Sequence, residues 1–580
     1  MKYTDEKNIL ILISLLKKHN IKKIIASPGT TNISFVASIQ KDPFFEVYSC
    51  VDERSACYMA CGLAEESGEP VVLSCTGATA SRNYIPGLTE AFYRKLPILA
   101  ITSSQHLGRI GNNVPQVLDR TNPLNDIVKL SVQLPSVYSD EDEWACNVAI
   151  NKAILELKHR GNGPAHINLV TTYSRNYTVD KLPNSRIIDR IEEKDEIPVI
   201  NNKKVGIFVG AHSRWNEKLT NLVDRFCELY DAVVFCDQTS NYHGKYRIMP
   251  NIICDQEKYD FDMNNFDIII DIGNISGAYF EINTKEIWRV NPDGEIRDTF
   301  KKLRYVFEMA EESFFEKYVN NTKTKTKKTQ LYLYWKKEFD ELQEKINNCD
   351  IPFSNMWIAR EMIKKIPNNS ILHLAILNSL RSWNYYDTDK IIDGYSNTGG
   401  FGIDGILSSL IGASFVNKTK NYYAVIGDLA FFYDLNSLGN RNIKNNLRIL
   451  LINNGCGTEF HNYNNQGAEL GEDVKMNIAA DGHFGDKSLQ LVKNFSENLG
   501  FEYLSASTKK EFLKNVEYFT SSKLYDKPII FEVFTNSDEE SQALKKVRNL
   551  KTSIKGATKD KLKSMMSQKT KDKIKKIIKK

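Results

Sequence analysis

The most regular feature of the chain is a recurring switch between short, almost continuously apolar runs and longer stretches with helical spacing. KKIIASPGT (22–30), FEVYSCVD (45–52), EPVVLSCTG (69–77) and LPILAITSS (96–104) are such runs, each followed by a segment with helical periodicity. They are rich in β-branched residues and lack the alternation of a strand with one wet face. They therefore read as parallel strands covered by helices on both sides. Glycines and polar residues gather after the strand ends, at SPGTTN, VDERS, CTGATAS and TSSQHLG. In open α/β sheets ligands collect at the carboxyl ends of strands, so these turns form a candidate site.

The same alternation returns twice. KKVGIFVGAHS, DAVVFCDQTS, FDIIIDIGN and KEIWRVNPDG mark a second region, which closes in the lysine-rich stretch 320–330. NNSILHLAILNS, KIIDGYSNTGGFGIDG, NYYAVIGDLAFFYDLNSL, NNLRILLINNGCG and KPIIFEVFT mark a third. The pattern predicts an α/β protein of three Rossmann-like parallel-sheet domains, at 1–183, 196–320 and 350–545, followed by a basic tail at 546–580. Residues 184–195 read as a polar connection.

Charge changes the picture only at the end. Residues 551–580 hold twelve lysines and two aspartates, a net +10, so the rest of the chain carries −5 of the total +5. A mildly acidic body gives no nucleic-acid surface. In the tail, Leu562, Met565 and Met566 recur at helical spacing, as do Ile574, Ile577 and Ile578. Two readings stand: an amphipathic anchor for an anionic membrane surface, or a solvated extension. The ten cysteines form no CxxC pair, which argues against a zinc or disulfide framework and fits a reducing, cytoplasmic setting. The apolar stretch near the start is short and periodic, an amphipathic first helix and not a signal peptide.

The third region carries the clearest chemistry. Asp428 follows Gly427 at one strand end, and Asn454 follows the next strand 26 residues later. A carboxylate, an amide oxygen and a main-chain carbonyl suit a hard divalent cation, and Gly427 lets a phosphate approach the turn. Read alone, Gly-Asp is also an ordinary helix start. With the asparagine pair, it resembles the diphosphate-and-magnesium motif of thiamine diphosphate (ThDP) enzymes. NSL (378–380), SNTGGFGIDG (396–405), GDLAFFYDLN (427–436) and NNGCG (453–457) resemble the menaquinone-pathway synthase that joins isochorismate and 2-oxoglutarate. SPGTTN, DERSA, CTGATASRNY and the Gln116/Asp119 pair extend the likeness to the first region.

The resemblance implies a pyrimidine-binding, a central and a diphosphate-binding domain, with sites shared between subunits of a homodimer or homotetramer. It implies ThDP and Mg²⁺ as cofactors, the metal held by Asp428, Asn454 and the Cys456 carbonyl. Ser379, Gly402, Ile403, Gly427 and Leu429 would contact the cofactor. Glu53 matches the glutamate that hydrogen-bonds the pyrimidine N1′, which calls for a poorly solvated carboxyl able to share a proton. Its competing reading is a helix-end charge beside an Asp52 cap. Asn83 and Gln116 face the cofactor or are core amides; His106 and His461 carry substrate protons or are structural; Arg82 is a candidate carboxylate anchor.

The chain departs from the synthase where that family uses arginines. Thr31, Gln105, Trp383 and Thr398 stand in their places, with Arg381 displaced. This points to a changed substrate: decarboxylation of a 2-oxo acid with transfer to an aldehyde, sugar or oxo-acid acceptor. The alternatives are the synthase itself, a simple 2-oxo acid decarboxylase, a flavin-containing relative (VGIFVGAHS offers only two glycines) and an inactive scaffold.

Overall fold

A computed structural model describes residues 2–262, 264–277, 280, 282–321 and 329–553. The lysine-rich linker from 322 to 328 and the tail from 554, with both of its apolar triplets, lie outside the described residues. The chain forms two compact units. Residues 1–196 with 293–308 make the first; 197–292 with 309 onward make the second.

The first unit is built on six parallel strands: β1 (Lys23–Ala26), β2 (Glu46–Ser49), β3 (Val71–Thr76), β4 (Ile98–Ser104), β5 (Leu130–Leu134) and β6 (Ala165–Val170). Their order across the sheet is β2-β1-β3-β4-β6-β5. The helix Glu53–Ser67 packs on this sheet through Ala56, Cys57, Ala60, Cys61 and Ala64, all buried. Small side chains let it lie close, and so does its neighbour: a Cβ on Gly87 would sit 2.6 Å from Cys57 Cβ. The Cys/Ala-rich sequence after Glu53 thus sets the height of that residue over the sheet edge.

Two expectations change here. The first helix, Lys7–Lys18, is buried continuously from Asn8 to Leu16, so it is a core helix and not an amphipathic surface one. Its polar side chains are satisfied inside: Asn8 Nδ2 donates to the Val170 carbonyl at 2.7 Å and Ser14 Oγ to the Pro183 carbonyl at 2.7 Å. The segment 184–195 is not a bare connection either. Asp189–Glu192 pairs in parallel with Leu303–Glu308, and both strands belong to the first unit.

The second unit carries two further sets of parallel strands. In one, β7 (Val205–Val209), β8 (Val233–Phe235), β9 (Arg247–Ile248), β10 (Asn265–Ile272) and β11 (Asn283–Val290) run in the order β9-β8-β7-β10-β11. The other comprises β12 (Ile371–Leu374), β13 (Asp393–Tyr395), β14 (Tyr422–Gly427), β15 (Leu447–Asn453), β16 (Glu502–Ala506) and β17 (Ile529–Phe534). Its order, β13-β12-β14-β15-β17-β16, repeats that of the first sheet strand for strand. The candidate motifs of the two six-stranded sheets therefore sit at the ends of topologically equivalent strands.

Within this unit the β13 edge is blunted by polar groups. Asn241 brackets Gly394, accepting from its N–H at 2.7 Å and donating to its carbonyl at 3.1 Å. Gln238 Nε2 donates to the carbonyls of Trp383 (3.1 Å) and Tyr386 (2.8 Å). The start of the basic tail is docked as well: Lys551 Nζ pairs with Glu338 at 2.8 Å and Glu341 at 2.9 Å. All ten cysteines are free thiols, and no helix among the described residues is long and apolar enough to cross a membrane.

A Cβ at Gly394 would lie 1.8 Å from the Gln238 carbonyl oxygen, which is backbone and cannot swing away. Gly394→Ala should cost about 1–3 kcal/mol or more and lower Tm by several degrees. An unchanged Tm would mean that this contact does not constrain β13.

Candidate active site

In the first unit, β2 ends at Ser49 and the next helix starts at Glu53. Asp52 is its N-cap, accepting from the Ser55 N–H at 2.7 Å, so the helix end is satisfied without Glu53. Asn83 instead donates from Nδ2 to Glu53 Oε2 at 3.4 Å, bringing together two residues singled out in the sequence. Glu53 is half-buried in the chain by itself, less sealed from water than its expected role requires. Around it Tyr48, Val51, Tyr58 and Met59 are 43–79% exposed and form an apolar surface.

The neighbouring turns are strained or committed. Ala78, in CTGATAS, holds φ 60° and ψ −138°, and Gln116 holds φ 64° on an exposed loop. Arg82 donates to the Asp119 carbonyl at 2.8 Å. His106 accepts from the Gly108 N–H through Nδ1 at 3.1 Å, which makes it the cap of a short turn. Thr31 is buried and donates to the Ser103 carbonyl at 2.6 Å.

In the second unit, β14 runs into Gly427, and Asp428 opens the helix Asp428–Tyr433 with its carboxylate 2% exposed. A Cβ on Gly427 would meet nothing within 4 Å, so the space before this turn is open. Asn453 ends β15. Its Nδ2 donates to Glu532 Oε1 at 2.7 Å, and Tyr503 donates to Glu532 Oε2 at 2.7 Å. Asn453 Oδ1 accepts from the Gly455 N–H at 3.2 Å, and Gly485 sits between it and Asp428: a Cβ there would lie 2.5 Å from Asp428 Oδ2 and 2.6 Å from Asn453 Oδ1. Asn454 is half-buried, its Oδ1 3.8 Å from Cys456 Sγ. Glu532, whose carboxyl burial raises, gives no signal in the sequence because it is one polar residue inside an apolar run.

Cys456 is buried and its thiol is pushed up to about 12, chiefly by burial. Leu429, half-buried, reaches the space beside Gly457. His461 pairs with Asp481, Nε2 to Oδ1 at 3.1 Å. Leu377, just before NSL, holds φ 65° and ψ −124°. Ser379 is buried and accepts from Asn355 Nδ2 at 3.2 Å; the Asn355 N–H in turn donates to both oxygens of Glu540, at 2.9 and 3.0 Å. Ile403 packs half-buried against the third sheet's apolar cluster, next to Gly402 in the 396–405 loop. Trp383 and Thr398, where the resemblance expects arginines, are both buried.

Asp428, the two asparagine amides and the Cys456 carbonyl are hard oxygen donors gathered at adjoining strand ends, with open space before Gly427. These oxygens suit Mg²⁺ by their chemistry, with Gly485 packed against Asp428 and Asn453.

The N-terminal TPP-binding domain model of the thiamine pyrophosphate enzymes matches residues 10–122. The 2-succinyl-5-enolpyruvyl-6-hydroxy-3-cyclohexene-1-carboxylate synthase of Bacteroides fragilis is 31% identical over 572 residues, covering 94% of this chain and 98% of the relative. The synthase of the same name from Bacteroides thetaiotaomicron is 30% identical over 570 residues, with the same coverage. A Rhodococcus jostii ThDP-dependent 4-hydroxybenzoylformate decarboxylase superposes with a TM-score of 0.39 at 16% identity, covering 92% of this chain and all of that one, a likeness too loose to bear on assignment.

Glu540, which holds Asn355 and through it Ser379, is buried, and burial pushes its carboxyl up to about 7. The unfolded carboxyl ionises first as pH rises, so the native state holds the extra proton and Glu540 withdraws stability between about pH 4.5 and pH 7. Glu540→Gln should therefore gain Tm relative to the parent on going from about pH 5 to about pH 8. A difference that stays constant across that window would show that Glu540 does not titrate there.

Proposed function

The chain belongs to the 2-succinyl-5-enolpyruvyl-6-hydroxy-3-cyclohexene-1-carboxylate synthase family of thiamine diphosphate enzymes, and we propose that it decarboxylates a 2-oxo acid and transfers the acyl unit to an acceptor. The observation that carries this reading is the pairing, in one chain, of Glu53 held by Asn83 with the buried oxygen-donor turn at Asp428.

Asp428, Asn454 and the Cys456 carbonyl would hold Mg²⁺, with Asn453 oriented beside them by Glu532. Bound ThDP supplies the electron sink for loss of CO₂. Glu53 would hold a proton against the pyrimidine N1′, and Asn83 would orient its carboxyl. Ser379, Gly402, Ile403 and Leu429 would line the cofactor. Gln116 lies on an exposed loop suited to meeting substrate, whereas His106 and His461 are already committed within the fold. The apolar surface around Glu53 supports a homodimer or homotetramer in which a second copy completes the site.

The names of the relatives favour the synthase itself, acting on isochorismate and 2-oxoglutarate. A second reading, a changed donor or acceptor, is favoured by Thr31, Trp383 and Thr398, which fill arginine positions with buried uncharged side chains.

ThDP with Mg²⁺ should raise Tm, and both EDTA and Asp428→Ala should abolish the rise. Absence of any rise in the parent would refute the cofactor assignment. A CO₂-release assay then separates the readings. Release from 2-oxoglutarate that requires isochorismate identifies the synthase; release from another 2-oxo acid, or only with a sugar or aldehyde, identifies the second reading.

A further inference from the structure

At the carboxyl ends of β3, β4 and β6 a guanidinium is buried without an anion. Arg120 is 6% exposed. Its Nη2 donates to Asn168 Oδ1, but Nε and Nη1 have no hydrogen-bond partner among the described residues. Its neighbour Asp119 turns one carboxylate oxygen, Oδ1, to Thr121, accepting from the main-chain N–H at 2.9 Å and from Oγ1 at 2.6 Å. The arginine is admitted there by Gly77 of the CTGATAS turn, where a Cβ would lie 2.2 Å from Arg120 Nη1. Burial pushes the guanidinium down to about 10, still charged at neutral pH.

Arg120 lines a small cavity with Arg82, Ser81, Asn122 and His166. His166 supplies no negative charge. Its ring nitrogens lie 2.8 Å from Thr102 Oγ1 and from Ser131 Oγ, and burial with the nearby Arg120 pushes it down to about 3. The remaining wall is mostly apolar, including Leu88, Ile127 and Val128, with Tyr84 and Thr102 among them. A buried, uncompensated charge is costly, and two arginines over an apolar wall match a short organic acid better than inorganic phosphate.

We infer that this cavity is a carboxylate subsite in which Arg120, with Arg82 beside it, holds the carboxylate of a small organic acid. Assigning that acid as the 2-oxo acid donor rests on the proposed function; the anion site itself does not. On that assignment, Arg120 supplies a cation that the arginine positions filled by Thr31, Trp383 and Thr398 no longer do.

The test is thermal unfolding of the full chain titrated separately with pyruvate, acetate and phosphate, with and without ThDP and Mg²⁺. Pyruvate and acetate should raise Tm saturably, and phosphate should do so less. Arg120→Met should unfold at a higher temperature than the parent in carboxylate-free buffer, because it removes an unpaired charge. It should also bind both acids about 10- to 100-fold more weakly while keeping the ThDP shift. Arg120→Lys should keep a weakened carboxylate response. No carboxylate response in the parent, or an undiminished one in Arg120→Met, overturns the inference, as does phosphate binding more tightly than acetate. A carboxylate response without a ThDP response supports the subsite and removes only the cofactor reading.

Discussion

Parallel pairing makes every strand of a sheet end on the same edge, so whatever polar groups follow those strands must either satisfy one another or await a ligand. Two six-stranded sheets here obey that constraint with one strand order, and each collects its functional candidates on that edge. In the first, small residues on the helix after β2 bring its N-terminus close to the sheet, and Asp52 takes the capping bond, leaving Glu53 for other work. In the second, the amide of Asn453 is fixed by Glu532 on its nitrogen and by the Gly455 N–H on its oxygen.

The edges differ in how their charges are settled. Around Asp428 the groups are oxygen donors, a surplus of negative and dipolar ligands for a cation. Around Arg120 the surplus is positive, in a cavity with an apolar wall. A 2-oxo acid carries both an anionic carboxylate and a carbonyl, and the chemistry proposed here needs an anion anchor as well as an electron sink. Thr31, Trp383 and Thr398, where the resemblance expects arginines, are buried and serve packing and internal hydrogen bonds.

Much of this was legible in the sequence, for physical reasons. The continuous apolar runs Val71–Thr76 and Ile98–Ser104 are buried strands, whereas Glu46–Ser49, read the same way, is an exposed strand at a sheet edge; the Gly427-Asp428 turn with its following asparagine pair marks a candidate cation site. Capping rules alone leave Asp52 or Ser55 as the cap and the resemblance singles out Glu53; the Ser55 N–H on Asp52 decides the cap. What escaped depends on tertiary partners. Nothing local says that Lys7–Lys18 is covered on every side, or that Asp189–Glu192 finds its partner more than a hundred residues away. Glu532 looks like an interruption in FEVF until Asn453 and Tyr503 are seen on its two oxygens. Arg120 reads as an ordinary loop arginine, and only its burial against Gly77 sets it apart.

The central claim is that Glu53 activates a cofactor which the Asp428 turn holds. It is tested most directly by the rate of deuterium exchange at the thiazolium C2 carbon of bound ThDP, measured alongside ThDP affinity. Glu53→Gln should bind ThDP with an affinity within a few-fold of the parent while slowing exchange by about 10²-fold or more. Exchange at the parent rate in the Glu53→Gln protein, with ThDP still bound, would contradict the account.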